Sequence, residues 1–339
     1  MDFTLHNNFS ELAPLAAEWN ALLVESITHV PFLRYEYLSA WWVTRGGGEW
    51  PESELFIVTA HQNGRLVGIA PLFFAQNRDN DPALLLLGSI EISDYLDLIV
   101  RLADLPDFLS GLLEFIGQNG PANWRALDWH NLLESSPTLP IFKAEAEKRG
   151  WTFTQEQTYH APSVLLTGDF ETYLSAIDKK QRHEIRRKMR RAEESGRNVR
   201  WYIVEDGPTL EAEVEAFLTL MADDPEKTAF LTPPMREQMH LSCRAAFENG
   251  WLQLAFLEAD GQKAAAYLNF DYLNRIWVYN SGLGQRFMDL SAGWVLLGYL
   301  LQWANENKRT EFDFMRGDED YKYRFGGVDK FVIRAKVVR

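Results

Sequence analysis

A chain of 339 residues with 46% hydrophobic and 13% aromatic side chains can build a sizeable core, and its length suits two ordinary domains better than one. Disorder, collagen-like repeats and low complexity do not fit that composition. Forty-eight acidic against 34 basic residues leave a formal charge of −14, which opposes general affinity for nucleic acid or anionic membrane.

Ser10–Glu25 and Phe32–Thr44 carry helical periodicity. The runs Glu54–His61 and Arg65–Gln76 read as strands flanking Asn63-Gly64, a pair suited to a two-residue hairpin turn in which both central residues take positive φ. Ala83–Leu87 and Tyr95–Val100 read as strands, Leu105–Gln118 as a helix and Trp124–Trp129 as a strand. From Asp169, placed as an N-cap, to Gly196, placed as a stop, the pattern predicts one long helix bridging two halves. Helices follow at Thr209–Met221 and Met235–Glu248. Trp251–Ala259, Asp260-Gly261 and Lys263–Tyr272 then repeat the hairpin, with Leu252 in the place of Leu55 and Gly261 in that of Gly64. A strand at Arg275–Ser281, a helix at Ala292–Asn307 and a short strand at Glu311–Met315 complete the set. The repeat implies an internal duplication of a mixed α/β unit, with residues 1–165 as the N-terminal copy and 166–339, including helix 169–196, as the C-terminal one.

Cys243 is the single cysteine, which excludes an internal disulfide and zinc sites needing two thiolates and fits a reducing compartment. No secretory signal pattern opens the sequence, and the longest apolar stretch, Ala292–Ala304, is too short for a bilayer and carries Gln302. A cytoplasmic protein without membrane insertion is expected. With no His-Glu-x-x-His helix and scattered histidines, no metal is expected either.

Three features can carry chemistry. The segment Lys179–Arg191 holds eight bases against the one acid Glu184. Leu174, Ile177, Ile185 and Met189 form an apolar stripe along the expected helix 169–196 that contains it, leaving Arg182, Arg186 and Arg190 as a row four residues apart on another face. That row is either a solvated face or a seat for an anionic ligand; like charges at this spacing cost roughly 0.2–0.5 kcal/mol per pair, which a bound phosphate would offset. The second feature is the loop Asn280-Ser-Gly-Leu-Gly-Gln-Arg-Phe-Met-Asp-Leu-Ser-Ala-Gly293, between a strand and a helix. The amides at Ser291-Ala292-Gly293 are either an anion site at a helix start or a plain turn capped by Ser291. The third is the tail after Glu311, where Asp318, Tyr321, Lys322, Tyr323 and Arg324 offer a base, phenolic acids and anion clamps near a strand end, or else form a charged surface turn.

Together the hairpin, the strand, glycine-rich loop and helix, and the terminal Phe312-Asp-Phe-Met-Arg-Gly-Asp-Glu-Asp-Tyr-Lys-Tyr-Arg-Phe-Gly326 resemble the CelD-like, cellulose-biosynthesis-associated acyltransferases of the GNAT superfamily. The resemblance is best over Asp169–Gly326. The first half resembles the degenerate partner in the duplicated arrangement of the Fem peptidyltransferases. The resemblance implies that an acyl-CoA, acetyl-CoA in the simplest case, lies between diverging strands Arg275–Ser281 and Glu311–Met315, with its pyrophosphate on Ser291-Ala292-Gly293 and further contacts from Ser281 and Arg286. It implies acyl transfer to a primary amine of a small molecule, an amino sugar or a polysaccharide precursor. Tyr321 or Tyr323 would then be the acid, Asp318 the base, and Arg182, Arg186, Arg190, Lys322 and Arg324 ligands of an anionic substrate. Two alternatives accompany it: a Fem-like transferase using aminoacyl-tRNA, and a non-catalytic binding protein on the same scaffold.

Overall fold

Both predicted hairpins form in the computed structural model, which describes residues 1–339. Asn63 and Gly64 take φ of 53° and 76°, and Asp260 and Gly261 take 54° and 76°, the doubly positive turn whose twist matches its flanking strands. The pairing of each hairpin slips by one residue at the same point of the repeat, between Ala60 and His61 in the first and between Leu257 and Glu258 in the second. The duplication therefore extends to the position of a bulge.

The chain divides at Tyr159/His160. The first unit holds β1 (Asp2–His6), α1 (Ala16–Val24), α2 (Tyr35–Thr44), β2 (Glu54–Gln62), β3 (Arg65–Gln76), β4 (Pro82–Leu86), β5 (Ile99–Val100), α3 (Leu105–Asn119), β6 (Ala126–Leu133), α4 (Thr138–Lys148) and β7 (Thr152–His160). The second begins with β8 (Ser163–Leu165), α5 (Phe170–Ala176), α6 (Lys179–Glu193), β9 (Val199–Ile203), α7 (Leu210–Met221), α8 (Pro225–Phe230) and α9 (Pro233–Glu248). It continues through β10 (Leu252–Ala259), β11 (Gln262–Tyr272), β12 (Arg275–Leu283), α10 (Ala292–Glu306), β13 (Glu311–Asp313) and α11 (Asp320–Arg324). A last strand, β14 (Phe331–Val338), returns to the first unit. No helix is long and apolar enough to cross a membrane.

The sheets run β1-β2-β3-β4-β6-β14-β7, with β5 on β3, and β9-β10-β11-β12-β13-β8. In each, four antiparallel strands lead to one parallel pair, β4 with β6 or β12 with β13, and a helix, α3 or α10, makes the crossover such a pair needs. The mixed α/β duplication expected from the sequence is present. Its division differs from the expected 165/166 boundary: Ser163–Leu165 pairs with β13 in the second sheet, and the final strand, expected in the second unit, pairs with β6 in the first. Each parallel pair thus gains an outer neighbour from a distant part of the chain.

The single helix expected over 169–196 is two helices. Asp169 caps α5, taking the Thr172 amide at 2.7 Å; Ile177 is extended, and Asp178 caps α6 through the amides of Lys180 (2.9 Å) and Gln181 (3.3 Å). A short acidic side chain that captures the next amides competes with helix continuation. Both helices pack on α10 within the second unit, so the segment is part of that unit's core and not a bridge. Other expected elements are trimmed similarly. Ser10–Glu25 becomes a 3-10 segment containing Pro14 followed by α1, and only Ile99–Val100 of Tyr95–Val100 pairs.

The predicted stripe of Leu174, Ile177, Ile185 and Met189 is buried, joining Val295, Leu296 and Leu300 of α10 against Leu257, Tyr267, Ile276 and Val278. Each fully buried leucine contributes on the order of 2 kcal/mol. Strand alternation gives the opposite face to α7, whose end touches β12 so closely that a Cβ on Gly282 would lie 2.8 Å from Leu220.

Candidate functional site

The parallel pair β12/β13 is short. Arg275, Ile276 and Trp277 face Glu311, Phe312 and Asp313, and beyond that point β12 runs on to Leu283 with no partner on that side. The cause of the splay is visible in the backbone. After Asp313 the amide of Phe314 goes to the Pro162 carbonyl (3.0 Å) and that of Gly317 to the His160 carbonyl (2.8 Å), which draws this strand towards β8. On the other side, Leu268 faces Asn280 while Asn269 faces Val278, so Tyr279 is an extra residue that bends β12.

A cavity of about 310 Å³ lies beside the freed half of β12, within the usual size of small-molecule sites. Ala264, Tyr267, Ser281, Leu283, Phe287, Met288, Ser291–Trp294, Leu297 and Tyr321 line it. Its mixed character follows from where the residues come from: α10 supplies apolar side chains and a helix start, and the two strands and α11 supply hydroxyls. Ser291 has φ 53° and its side chain caps nothing, so the first turn of α10 keeps its amides available, contrary to the reading of Ser291 as a cap. Gly293 leaves room there for Leu283: a Cβ would lie 2.4 Å from Leu283 Cδ2, the tip of an exposed side chain that would have to turn aside.

Two phenols face the cavity. Tyr267 stands directly across from Ser281 in the β11/β12 ladder, and the five-residue helix α11 turns Tyr321 inward against Phe314. Burial raises both phenols well above the ordinary tyrosine value, with the Glu319 charge adding to it, so both stay protonated at neutral pH.

Next to the loop that leads into α10 lies a larger basin of about 530 Å³, lined by Arg187, Arg190, Arg191 and Arg197 together with Glu194, Ser195, Asp289 and Leu290. Arg197 bonds Asp289 at 3.1 Å, and Arg187 is paired with Glu184 at 2.7 Å. Lys188, one turn from Glu184, lays its ammonium 4.0 Å from the centre of the Trp294 ring, which ties the basic helix to the start of α10.

The structure therefore gathers Ser281, Ser291, Ala292, Gly293 and Tyr321 of the expected residues around one cavity, with Arg190 in the adjacent basin. The others lie elsewhere. Arg286 turns to Gln262. Arg182 donates to the Ser175 carbonyl at 3.2 Å and Arg186 pairs with Glu171, so the expected row of three arginines is spent on its own helix–turn–helix except at Arg190. Lys322 is not a substrate ligand: it is 2% exposed, and its ammonium is taken by the carbonyls of Met315 (3.2 Å), Arg316 (2.6 Å) and Gly317 (3.2 Å) and by Glu319 (2.8 Å). Arg324 is exposed and holds Asp320 at 3.1 Å. Tyr323 points outward and donates to Asp329 at 2.8 Å, and Asp318 is exposed outside the cavity lining. The helical turn at Asp320–Arg324 explains this sorting, since it sends Tyr321 and Tyr323 in different directions. Sequence reasoning passed over Tyr267, Trp294, Arg197 and Lys227. Only Tyr267 had a usable signal, its place across from Ser281 once the second hairpin is extended by one strand.

Residues 179–323 match a family model described as an acetyltransferase (GNAT) domain. No curated protein sequence matches the chain. Among solved structures the chain is similar to FemX, at 12% identity over 98% of this chain and 97% of that one, with a TM-score of 0.64. It is also similar to the C-terminal domain of a putative lysylphosphatidylglycerol synthetase from Agrobacterium fabrum, at 12% identity, 98% and 92% coverage and a TM-score of 0.55. A tandem GNAT protein from the clavulanic acid biosynthesis pathway aligns at 13% identity over 98% of both chains, with a TM-score of 0.50. At these identities the likeness is one of fold, two GNAT-like units in tandem, with the GNAT acetyltransferase domain match in the second.

Proposed function

We propose that the second unit is an N-acyltransferase that moves an acyl group, acetyl in the simplest case, from acyl-CoA to a primary amine. The observation that carries this reading is the open edge of β12 beside a cavity that ends on the uncapped first turn of α10. A pantetheine arm is a thin chain with two amides, which an unpaired strand edge can bond as a neighbouring strand would. Its pyrophosphate suits the amides of Ala292 and Gly293 and the positive end of the helix dipole. The outlying phosphate of CoA suits the basin of Arg187, Arg190, Arg191 and Arg197.

Chemically, a neutral amine attacks the thioester carbonyl, main-chain amides near the bulge at Tyr279 hold the oxyanion, and a phenol protonates the departing thiolate. Tyr321 is assigned as that acid, with Tyr267 beside it, because both are in the cavity and both carry their proton. No carboxylate lines the cavity, so the role first assigned to Asp318 passes to water, which carries the amine's proton to solvent. The hydroxyls of Tyr267, Ser281, Ser291 and Tyr321 suit an amine on a polyhydroxylated acceptor, an amino sugar or polysaccharide precursor, in keeping with the CelD-like resemblance. The test is thiol release from acetyl-CoA with and without a pool of amino sugars. Release that depends on the amine and falls in Tyr321→Phe supports the reading; no release and no thermal shift with any acyl-CoA sinks it.

The arginine basin also supports a second donor class, aminoacyl-tRNA, whose backbone phosphates it would seat. That reading requires binding that weakens steeply with salt and is indifferent to CoA.

A further inference from the structure

On the face of the second sheet covered by α7, a lysine reaches the open edge of β12. Lys227 of α8 is half-buried, and its Nζ donates to the Ser281 carbonyl and to Asn280 Oδ1 at 3.0 Å, with Ser281 Oγ at 3.5 Å. Asn280 pairs with Leu268 and Ser281 with Tyr267; Asn280 meets Lys227, while Ser281 lines the cavity and keeps its Oγ within 3.5 Å of the same ammonium, so the two environments join at this edge. The Ser281 carbonyl belongs to the stretch of β12 that β13 leaves unpaired. A carrier amide bonded along this edge stands only two carbons from the thioester sulfur, so an amine on the same carbonyl is a near neighbour of the acyl carbon. Burial draws the Lys227 amine below the ordinary lysine value, against the opposing pull of Asp224 and Glu319, which favours the nucleophilic form.

We propose that Lys227 is an acylation site of the chain itself, its ε-amine taking the acyl group from the thioester bound along β12. The inference rests on the acyl-CoA reading above. The ammonium first yields one proton to solvent. The neutral nitrogen then forms a bond to the thioester carbonyl carbon, the C–S bond breaks with its electron pair on sulfur, and the second amine proton reaches the thiolate by way of Tyr321. The products are an Nε-acyl-lysine and a free thiol, and no further reactant is needed. Acylation removes the charge of Lys227 and fills the amine side of the cleft, so it slows transfer to external amines.

The experiment is incubation of the full-length protein with acetyl-CoA, followed by intact-mass measurement and peptide mapping. The expected result is one acetyl group per chain on Lys227, formed at a rate per chain that does not change on dilution and at least roughly tenfold faster than at exposed Lys308. The label is lost in Lys227→Arg and slowed in Tyr321→Phe. Thiol release to external amines with Lys227 unlabelled would overturn this inference alone, as would equal labelling of Lys227 and Lys308. Absence of both thiol release and any CoA-induced thermal shift would overturn the donor reading and this inference with it.

Discussion

Replacing Arg334 tests whether the last strand is integral to the first unit. In β14 its guanidinium donates from Nε and from Nη2 to the two carboxylate oxygens of Asp128, each at 2.8 Å, and it also reaches Asp79 and, at 3.2 Å, Glu156. Asp128 is fully buried, with Asn77 at 2.7 Å and His130 at 3.2 Å as its other partners. Removing one partner of a buried pair costs about 3–5 kcal/mol, because the remaining charge is stranded. Water and Asn77 soften the loss here, since the Arg334 side chain is 16% exposed, so Arg334→Leu is expected to cost about 3 kcal/mol. For a unit of this size that corresponds to a melting shift of roughly 6–12 °C. Burial alone would raise the Asp128 carboxyl, but the two hydrogen bonds from Arg334, with the His130 ring alongside, hold it well below the ordinary carboxylate range. The folded value being depressed, the pair's contribution is complete above about pH 4 and is lost as pH falls further, so the gap between wild type and variant closes in acid. Differential scanning calorimetry across pH measures both effects. A variant melting within roughly 2 °C of wild type at neutral pH, or a gap that widens in acid, would refute the reasoning.

Three further outcomes follow from the site. Tyr321→Phe is expected to lower kcat by about a hundredfold while Tyr323→Phe stays within about twofold, read from steady-state thiol release; the reverse order would place the acid outside the cavity. Replacing Arg190 and Arg191 together by Ala is expected to raise KM for acyl-CoA about tenfold at low ionic strength, with the difference shrinking as salt is added, and an unchanged salt profile would remove the basin from donor binding. Gly293→Ala is expected to leave the melting temperature within a few degrees, because the exposed Leu283 tip can swing away from the new Cβ, yet to raise KM several-fold, because the tip swings into the cavity. A collapse of stability instead would mean that the contact is rigid.

What the sequence made legible is what is written locally. Asn63-Gly64 and Asp260-Gly261 announce their turns because few other residues accept two positive φ values in succession, and alternation then fixes the strands on either side. The strand, loop and helix from Arg275 to Glu306 is similarly local, and with it came the cavity residues Ser281 and Ser291–Gly293. The misplaced features are long-range or depend on a short turn. Nothing near Phe331 says that it will pair beside β6, and nothing near Lys227 says that it will meet Asn280, 53 residues away. Asp178 did carry a capping signal, but a continuous basic run masked it. Lys322 reads as an anion clamp only while its three carbonyl partners are unseen, and the roles of Tyr321 and Tyr323 separate only when the tail is known to be a helical turn.

The claim on which the account depends is that the unpaired edge of β12 and the first turn of α10 seat a CoA thioester. Titration of the full-length protein with acetyl-CoA, monitored by calorimetry and compared with the Gly293→Val variant, measures it most directly. Saturable one-site binding by the wild type is expected, weakened at least tenfold by the extra side chain without unfolding of the chain. Equal affinity in the two proteins, or no heat of binding in either, would contradict it.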